Sequence, residues 1–75
     1  MKNGKSFIQE YYNNGSLEFE GEYSNGEKNG KGKEYDLNGR LTFEGEYLNG
    51  EKNGKGKEYG WNGNVWRWIF KWRKK

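Results

Sequence analysis

The sequence Glu-Gly-Glu occurs twice, at residues 20–22 and 44–46. Two carboxylates at this spacing could do acid-base chemistry if the pKa of one of them were raised. Lysines surround both pairs, and nearby positive charge favours two ionised carboxylates instead. We therefore predict a structural role, in which the glutamates at 44 and 46 face the lysines at 55 and 57 on the next strand and set its register.

The other residues that could carry chemistry do not form a recognisable catalytic or metal-binding pattern. Histidine and cysteine are absent, which removes the commonest general base and the usual zinc ligands. Ser6 and Ser24 have no histidine to activate them. The Gly-Lys-Gly at 30–32 lacks the serine or threonine and the helix of a phosphate-binding loop, and residues 49–53 lack the acidic pattern of a calcium loop. We predict no enzyme activity, no catalytic or metal site and no cofactor.

The end of the chain, NVWRWIFKWRKK, differs from the rest in composition. Residues 67–75 hold five basic and no acidic residues, whereas residues 1–66 hold nine basic and eleven acidic ones. Alternating rings and cations suit an anionic membrane surface or, as a less favoured alternative, nucleic acid. They also suit a strand that caps a repeat array. The residues predicted to bind lipid or another anion are Trp66, Arg67, Trp68, Lys71, Trp72 and Arg73.

The sequence as a whole repeats with a period of 24 residues. FEGEYSNGEKNGKGKEYDLNGRLT is followed directly by FEGEYLNGEKNGKGKEYGWNGNVW. Repeats of this length indicate units that stack on one another, because one unit alone cannot cover its own apolar face. We predict one domain over residues 1–75. Its parts are a partial unit at about 1–18, full units at 19–42 and 43–66, and an atypical aromatic and basic capping strand or tail at 64–75.

Each unit has the alternation of apolar and polar residues that predicts β-strands. In LTFEGEY the residues Leu41, Phe43 and Tyr47 share one side, and Gly45 takes the place of an inward side chain, as glycine does at a bulge or where another backbone approaches closely. The same reasoning applies to Gly21. The predicted fold class is all-β, an elongated single-layer antiparallel meander of stacked β-hairpins. About six strands are expected, near residues 6–12, 17–23, 31–35, 40–47, 55–59 and 64–72.

Asn-Gly occurs eight times, and this pair is the one that a tight hairpin turn favours, since both residues need positive φ there. We interpret the isolated pairs at 14–15, 38–39 and 62–63 as tight turns. The doubled pairs at 25–30 and 49–54 are interpreted as two corners of a six-residue loop. Long and short connections are thus expected to alternate.

The quoted units resemble the MORN repeat family (membrane occupation and recognition nexus), whose pattern combines aromatic-Glu-Gly-Glu-aromatic, Asn-Gly, Gly-Lys-Gly and a closing tyrosine. FEGEYSNGEKNGKGKEY and FEGEYLNGEKNGKGKEY carry the resemblance. It implies a rod of stacked hairpins that serves as a scaffold, dimerisation element or protein-binding surface, with phospholipid binding in some members. The repeats are also similar to those of bacterial antitoxin components, which adds an antitoxin role as a third prediction.

We predict a non-enzymatic module for protein interaction or scaffolding, whose aromatic sheet face is covered by a partner protein, by curvature of the sheet onto itself or by a second copy. The alternative is peripheral binding to anionic phospholipid through the C-terminal segment. With no apolar leader or spanning segment in the sequence, the expected location is the cytoplasm, or the membrane periphery in the alternative. The residues assigned to the aromatic face are Phe19, Tyr23, Tyr35, Phe43, Tyr47 and Tyr59.

The last strand leaves two arrangements open. In the repeat frame its inward positions would be 65, 67, 69 and 71, yet the rings occupy 66, 68, 70 and 72. A slip of one residue would turn every side chain to the other face of the sheet. Either the strand slips to bring its rings inward, or it keeps register and projects its tryptophans outward.

Overall fold

The computed structural model describes residues 5–60 and 62–72, and for residues 70–72 it describes the backbone alone. This part of the chain forms one antiparallel sheet, in which six strands lie in sequence order and no helix occurs. The predicted all-β meander is therefore confirmed. The strands are β1 (Ser6–Tyr11), β2 (Leu17–Ser24), β3 (Glu27–Tyr35), β4 (Leu41–Leu48), β5 (Glu51–Tyr59) and β6 (Val65–Trp72).

Two-residue turns join β2 to β3 and β4 to β5. Asn25 and Gly26 have φ values of 54° and 80°, and Asn49 and Gly50 have 53° and 84°. Positive φ at both central residues is the requirement of a type I′ hairpin turn. The second Asn-Gly of each doubled pair lies inside the following strand, so the predicted six-residue loops are wrong and β3 and β5 begin four residues earlier than predicted.

Longer connections of five residues join the other strand pairs and contain the isolated Asn-Gly pairs. Between β3 and β4, the Asp36 amide donates to the Arg40 carbonyl and the Gly39 amide donates to the Asp36 carbonyl, both at 2.9 Å. Gly39 has φ of 87°, but Asn38 is not in the left-handed region. Long and short connections therefore alternate as predicted. The doubled pairs, however, supply the short turns, and the isolated pairs lie in the long connections, which is the reverse of the prediction.

The second Asn-Gly pair forms a bulge within β3. The register moves from Gly21 opposite Gly32 to Tyr23 opposite Lys28, so β3 has two extra residues at this point. Gly30, inside the bulge, has φ of 110°. The Glu22 carboxylate accepts a hydrogen bond from the Lys31 amide at 2.8 Å, so it satisfies a donor that the bulge removes from the ladder.

The same bulge recurs one repeat later, in β5. Gly54 has φ of 98°, and the Glu46 carboxylate accepts a hydrogen bond from the Lys55 amide at 3.1 Å. The second glutamate of each Glu-Gly-Glu therefore has a structural task that the repeat preserves.

A straight row of glycines crosses the middle of the sheet. Phe19 lies over the first two and Phe43 over the last two, with 1% and 3% of their surfaces exposed. A Cβ atom added to Gly32 would lie 2.6 Å from the Phe19 ring. At Gly21 an added Cβ would lie 2.6 Å from the Cα atom of Gly32, so the predicted close approach of another backbone is confirmed there. From β1 to β6 the register partners in this row are Ile8, Gly21, Gly32, Gly45, Gly56 and Ile69.

Tyr47 fills the space between the two phenylalanines. Its ring centroid lies 5.4 Å from that of Phe19 and 5.8 Å from that of Phe43, with nearly perpendicular ring planes. The Nζ atoms of Lys28 and Lys52 lie 4.3 Å and 4.2 Å from the centroids of Phe19 and Phe43. Because lysine stems and cation–π contacts cover the rings, a single-layer sheet has a buried core here.

The two faces of the sheet differ in character. We call the side that carries Phe19, Tyr23, Phe43 and Tyr47 the core face, and the side that carries Phe7, Lys33, Glu44 and Trp68 the open face. The prediction that six aromatic residues share one face is wrong for Tyr35 and Tyr59. Their hydroxyls donate to Glu20 and Glu44, at 2.6 Å and 3.0 Å, on the open face.

The even number of residues between β2 and β3 places Tyr35 on the open face, and the predicted six-residue loop has the same parity. A two-residue turn pairs Ser24 with Glu27, so an odd-numbered residue of β2 has an even-numbered partner on β3. Because register partners point to the same side of a sheet, Phe19 shares its face with Glu34, and Tyr35 points to the other side.

Strand β6 keeps the register of the repeat. Glu58 lies opposite Arg67, as Glu34 lies opposite Phe43 one repeat earlier. The sequence left two arrangements open, and as far as Ile69 the structure has the one in which the strand does not slip. Trp66 and Trp68 consequently lie on the open face.

Candidate functional site

Tyrosine–glutamate hydrogen bonds join neighbouring strands on both faces. On the core face the Tyr23 hydroxyl donates to Glu10 at 2.5 Å, and the Tyr47 hydroxyl donates to Glu34 at 2.6 Å. The bond to Glu10, followed by burial, raises the pKa of Tyr23 to about 12. Burial raises the pKa of Tyr47 further, helped by Glu34. On the open face, burial and the bond to Glu20 raise the pKa of Tyr35 to about 12.

The two carboxylates of the first Glu-Gly-Glu show pKa shifts opposite to that of a general acid. Hydrogen bonds from Tyr35 and then Gln9 lower the pKa of Glu20 below its usual value. The bond from the Lys31 amide lowers the pKa of Glu22. Both groups are therefore ionised at neutral pH, and their geometry is that of strand-joining acceptors.

The tyrosine pKa values predict a loss of stability in alkali. A tyrosine whose pKa is raised in the folded state stabilises the fold fully below the unfolded value near 10, and this contribution disappears as the pH rises through about 12. We expect the midpoint of urea unfolding, followed by circular dichroism, to fall steadily between pH 10 and pH 12. Tyr23→Phe should flatten this decline, whereas a decline that is identical in the variant would contradict the assignment.

The rings predicted to bind a partner on the core face are largely buried within the protein. Tyr47 is 5% exposed, and Tyr23 packs edge-on against Phe19 with ring centroids 6.0 Å apart. These rings have little free surface to offer, so their role in partner binding stays a prediction. The structure separates them from Tyr35 and Tyr59, which lie on the open face.

Two rows of alternating charge cross the open face. In the first row Lys33 lies directly opposite both Glu20 and Glu44, and Glu44 lies directly opposite Lys57, as predicted. The predicted partner of Glu46, Lys55, is not its register partner, because β5 bulges there and the Lys55 amide donates to the Glu46 carboxylate. From β1 to β6 the first row is Gln9, Glu20, Lys33, Glu44, Lys57 and Trp68. The second row, which includes the bulges, is Phe7, Glu22, Lys31, Glu46 and Lys55.

A groove of about 400 Å³ runs between these two rows. The backbone of the glycine row forms its floor, because side chains at these positions point to the core face, so only backbone faces the groove. Phe7 on β1 and Trp68 on β6 lie at opposite ends, and 65% and 57% of their surfaces are exposed. The Lys57 ammonium lies 4.9 Å from the centroid of the Trp68 ring. The groove thus offers aromatic contacts at its ends and paired charges along its length.

The tail residues predicted to bind lipid do not share one surface. Trp66, 64% exposed, lies with Trp68 on the open face. Arg67 points to the core face, where it lies 3.7 Å from the Glu58 carboxylate. The side chains of Lys71 and Trp72, and all of Arg73, lie outside the described residues.

The architecture and the repeat together decide the family. The MORN repeat profile matches residues 19–39 and 43–65, more than half of the chain. The chain belongs to the MORN repeat family. No curated protein and no solved structure matches the sequence. The resemblance noted in the sequence is therefore confirmed, with two complete MORN units whose glycine row and tyrosine–glutamate bonds recur at the repeat period.

Membership in the MORN family fixes the general kind of activity. Domains of this family are generally non-enzymatic binding modules for proteins or membranes. Within residues 5–60 and 62–72, no three acidic side chains cluster where they could hold a metal ion. The same residues contain no helix long and apolar enough to cross a bilayer.

The open groove is the feature that sequence reasoning missed. The sequence predicted the facing pair of Glu44 and Lys57, which the register has, but it did not predict the bulge at Glu46 or the placement of these charges beside a strip of bare backbone. The signal was present, since Lys31 and Lys33 flank Gly32 just as Glu44 and Glu46 flank Gly45.

Proposed function

We propose that this MORN domain is a non-enzymatic protein-interaction module and that its binding surface is the open face. The observation that carries the proposal is the groove with exposed rings at both ends. Exposed aromatic side chains beside a groove are typical anchors of protein interfaces, because they bury a large area at low entropic cost.

The distribution of exposed surface favours the open face over the core face. Phe7 and Trp68 are each more than half exposed, whereas Phe19 and Phe43 are buried under lysine side chains. A partner on the core face would first have to displace those lysines from the rings. A partner on the open face can contact the rings as they stand.

A binding experiment with matched variants tests this proposal. Peptides selected from a display library against the domain should lose at least tenfold in affinity for Phe7→Ser/Trp68→Ser, measured by calorimetry, because two anchors are removed. The control is Leu37→Ser/Leu48→Ser, which also removes two exposed apolar side chains but lies outside the groove lining. Equal affinities for both double variants would contradict the open face as the binding surface.

An anionic phospholipid surface is the second candidate. Trp66 and Trp68 are exposed on one face beside Lys57, and tryptophan favours the headgroup level of a bilayer. The same proteins can be floated with vesicles of neutral or acidic lipid. Flotation that needs acidic lipid and is lost in Trp66→Ser/Trp68→Ser would support this candidate, and absence of flotation would remove it.

A further inference from the structure

From β2 to β5 the charges of the open face alternate in sign. When their order is reversed, each negative charge takes the position of a positive one, so the surface is complementary to a copy of itself. From β2 to β5 the first row runs Glu20, Lys33, Glu44, Lys57, and the second runs Glu22, Lys31, Glu46, Lys55. Each row alternates in sign and has an even number of charges. Read from β5 to β2, each row therefore has a lysine wherever the forward row has a glutamate.

We propose that the partner of the open face is a second copy of this chain, packed face to face about a two-fold axis that runs parallel to the strands between β3 and β4. This inference rests on the proposed function, because it names the partner of that same surface. The rotation places β2 against β5 of the partner and β3 against its β4. A two-fold interface is self-complementary by necessity, and this surface has that property.

The axis brings opposite charges together in both rows. Glu20 of each copy lies against Lys57 of the other, and Lys33 lies against Glu44. Packed sheets lie about 10 Å apart, a distance that lysine and glutamate side chains reaching from opposite sides can span. The second row repeats the pattern: Glu22 of each copy lies against Lys55 of the other, and Lys31 lies against Glu46.

The other in-plane two-fold axis, perpendicular to the strands, is excluded by the same charges. It would place each strand against its own copy and the first row against the second. Glu44 would then face Glu46, and Lys33 would face Lys31, so every facing pair would repel. Like charges placed opposite each other oppose association, so the charge pattern favours the axis parallel to the strands over the perpendicular one.

The exposed rings fit the same arrangement. The open-face rings Phe7 and Tyr11 lie on β1, whereas Trp66 and Trp68 lie on β6, and all four are more than half exposed. The proposed axis brings β1 of one copy against β6 of the other. Aromatic groups thus meet at both ends of the interface, beyond the charges of β2 to β5, and the contact would remove them from water.

Sedimentation of the intact chain over a range of protein concentrations tests the dimer directly. We expect a monomer–dimer equilibrium in which the dissociation constant rises severalfold between about 50 mM and about 500 mM NaCl, because salt screens the facing charges. A chain that stays monomeric up to millimolar concentration overturns the proposal. A dimer that tightens with salt overturns it as well, since association would then be driven by the rings alone.

Two charge-reversal variants test the symmetry. Lys33→Glu places two glutamates face to face, and Glu44→Lys places two lysines face to face, so each variant alone should dimerise at least roughly tenfold more weakly. Mixed together, the two variants restore opposite charges at both sites. An equimolar mixture should therefore form a heterodimer about as tight as the unchanged dimer, while each variant alone keeps its sheet by circular dichroism.

The outcomes separate this inference from the proposed function. If both variants dimerise as tightly as the unchanged chain, or if folded variants fail to associate when mixed, the two-fold packing is wrong. If the unchanged chain is monomeric but peptide binding is lost in Phe7→Ser/Trp68→Ser, the open face binds another protein and only the self-association fails. If the charge-reversal variants still dimerise as tightly as the unchanged chain and Phe7→Ser/Trp68→Ser still binds the peptide, both the two-fold packing and the open face as the binding surface are wrong.

Discussion

Phe19→Ala is expected to leave the chain largely unfolded at 25 °C. The Phe19 ring is 1% exposed, contacts both glycines beneath it and packs against Tyr23 and Tyr47. Truncating such a side chain costs about 3–5 kcal/mol. A core of this size rarely supplies more than about 3–5 kcal/mol in total. The measurement is urea unfolding followed by far-ultraviolet circular dichroism, where the variant should show no folded baseline.

Phe7→Ala is the matched control, because it removes the same ring from a position that is 65% exposed. Its free energy of unfolding should change by no more than about 0.5 kcal/mol when measured on dilute monomer. If the two variants were equally stable, the buried cluster around Phe19 would not be the source of the stability of the sheet.

Gly21→Ala should have an effect of similar size, although it adds only one carbon atom. Its Cβ would lie 2.6 Å from the Cα atom of Gly32 and 2.6 Å from the carbonyl oxygen of Lys31. Both are backbone atoms of the neighbouring strand, so relief requires β2 and β3 to separate. We expect a loss of about 3 kcal/mol or more, at the upper end of what overpacking costs, seen as a fall in the urea midpoint.

Gly60→Ala makes the same chemical change where the chain has room. The nearest atom to its added Cβ is Asn62 Oδ1 at 3.2 Å, which accepts a hydrogen bond from the Asn64 amide and has to shift by only a few tenths of an ångström, whereas the added Cβ at Gly21 meets fixed backbone. This variant should unfold at nearly the same urea concentration as the unchanged chain. A loss comparable to that of Gly21→Ala would mean that lost glycine flexibility, and not the close approach of two strands, causes the effect.

The sequence was sufficient for the architecture because several local signals agreed. Alternation in LTFEGEY, the Asn-Gly pairs and the 24-residue period each predicted strands joined in sequence order. The strand glycines were also predicted correctly, since a missing inward side chain between Phe43 and Tyr47 indicates that another part of the protein approaches the backbone there. Local propensity and repeat period thus specified the elements and their order.

The roles of the Asn-Gly pairs could not be separated by the same reasoning. A type I′ turn and a bulge both need a glycine with positive φ, so Asn25-Gly26 and Asn29-Gly30 have the same local signature. The difference lies on the neighbouring strand, where the Glu22 carboxylate satisfies the amide that the bulge leaves without a ladder partner. A turn of two residues and a loop of six both pair odd-numbered residues of β2 with even-numbered residues of β3. The parity of the strands therefore places Tyr35 on the face opposite to Phe19 in either case, and the prediction that they share a face was wrong for that reason.

The last strand shows how register depends on the strand before it. Its rings alone are compatible with an inward orientation in β6, but the pairing of Glu58 with Arg67 continues the ladder that the earlier units establish. Gly56 offers no side chain against which Ile69 would clash, so the repeat register is sterically acceptable. Alternate residues of a strand point to opposite sides, so Arg67 is separated from Trp66 and Trp68, and binding of an anionic surface by the tail stays a prediction.

The straight row of glycines also bears on how such a protein can change its length during evolution. Every 24 residues bring the chain back to the same row after one outward and one return strand. A tandem duplication or deletion of one such coding segment would therefore join strands whose ladders already match. Gains and losses of any other size would shift the phenylalanines off their glycines, so lineages that carry this sheet should differ in size by whole hairpins.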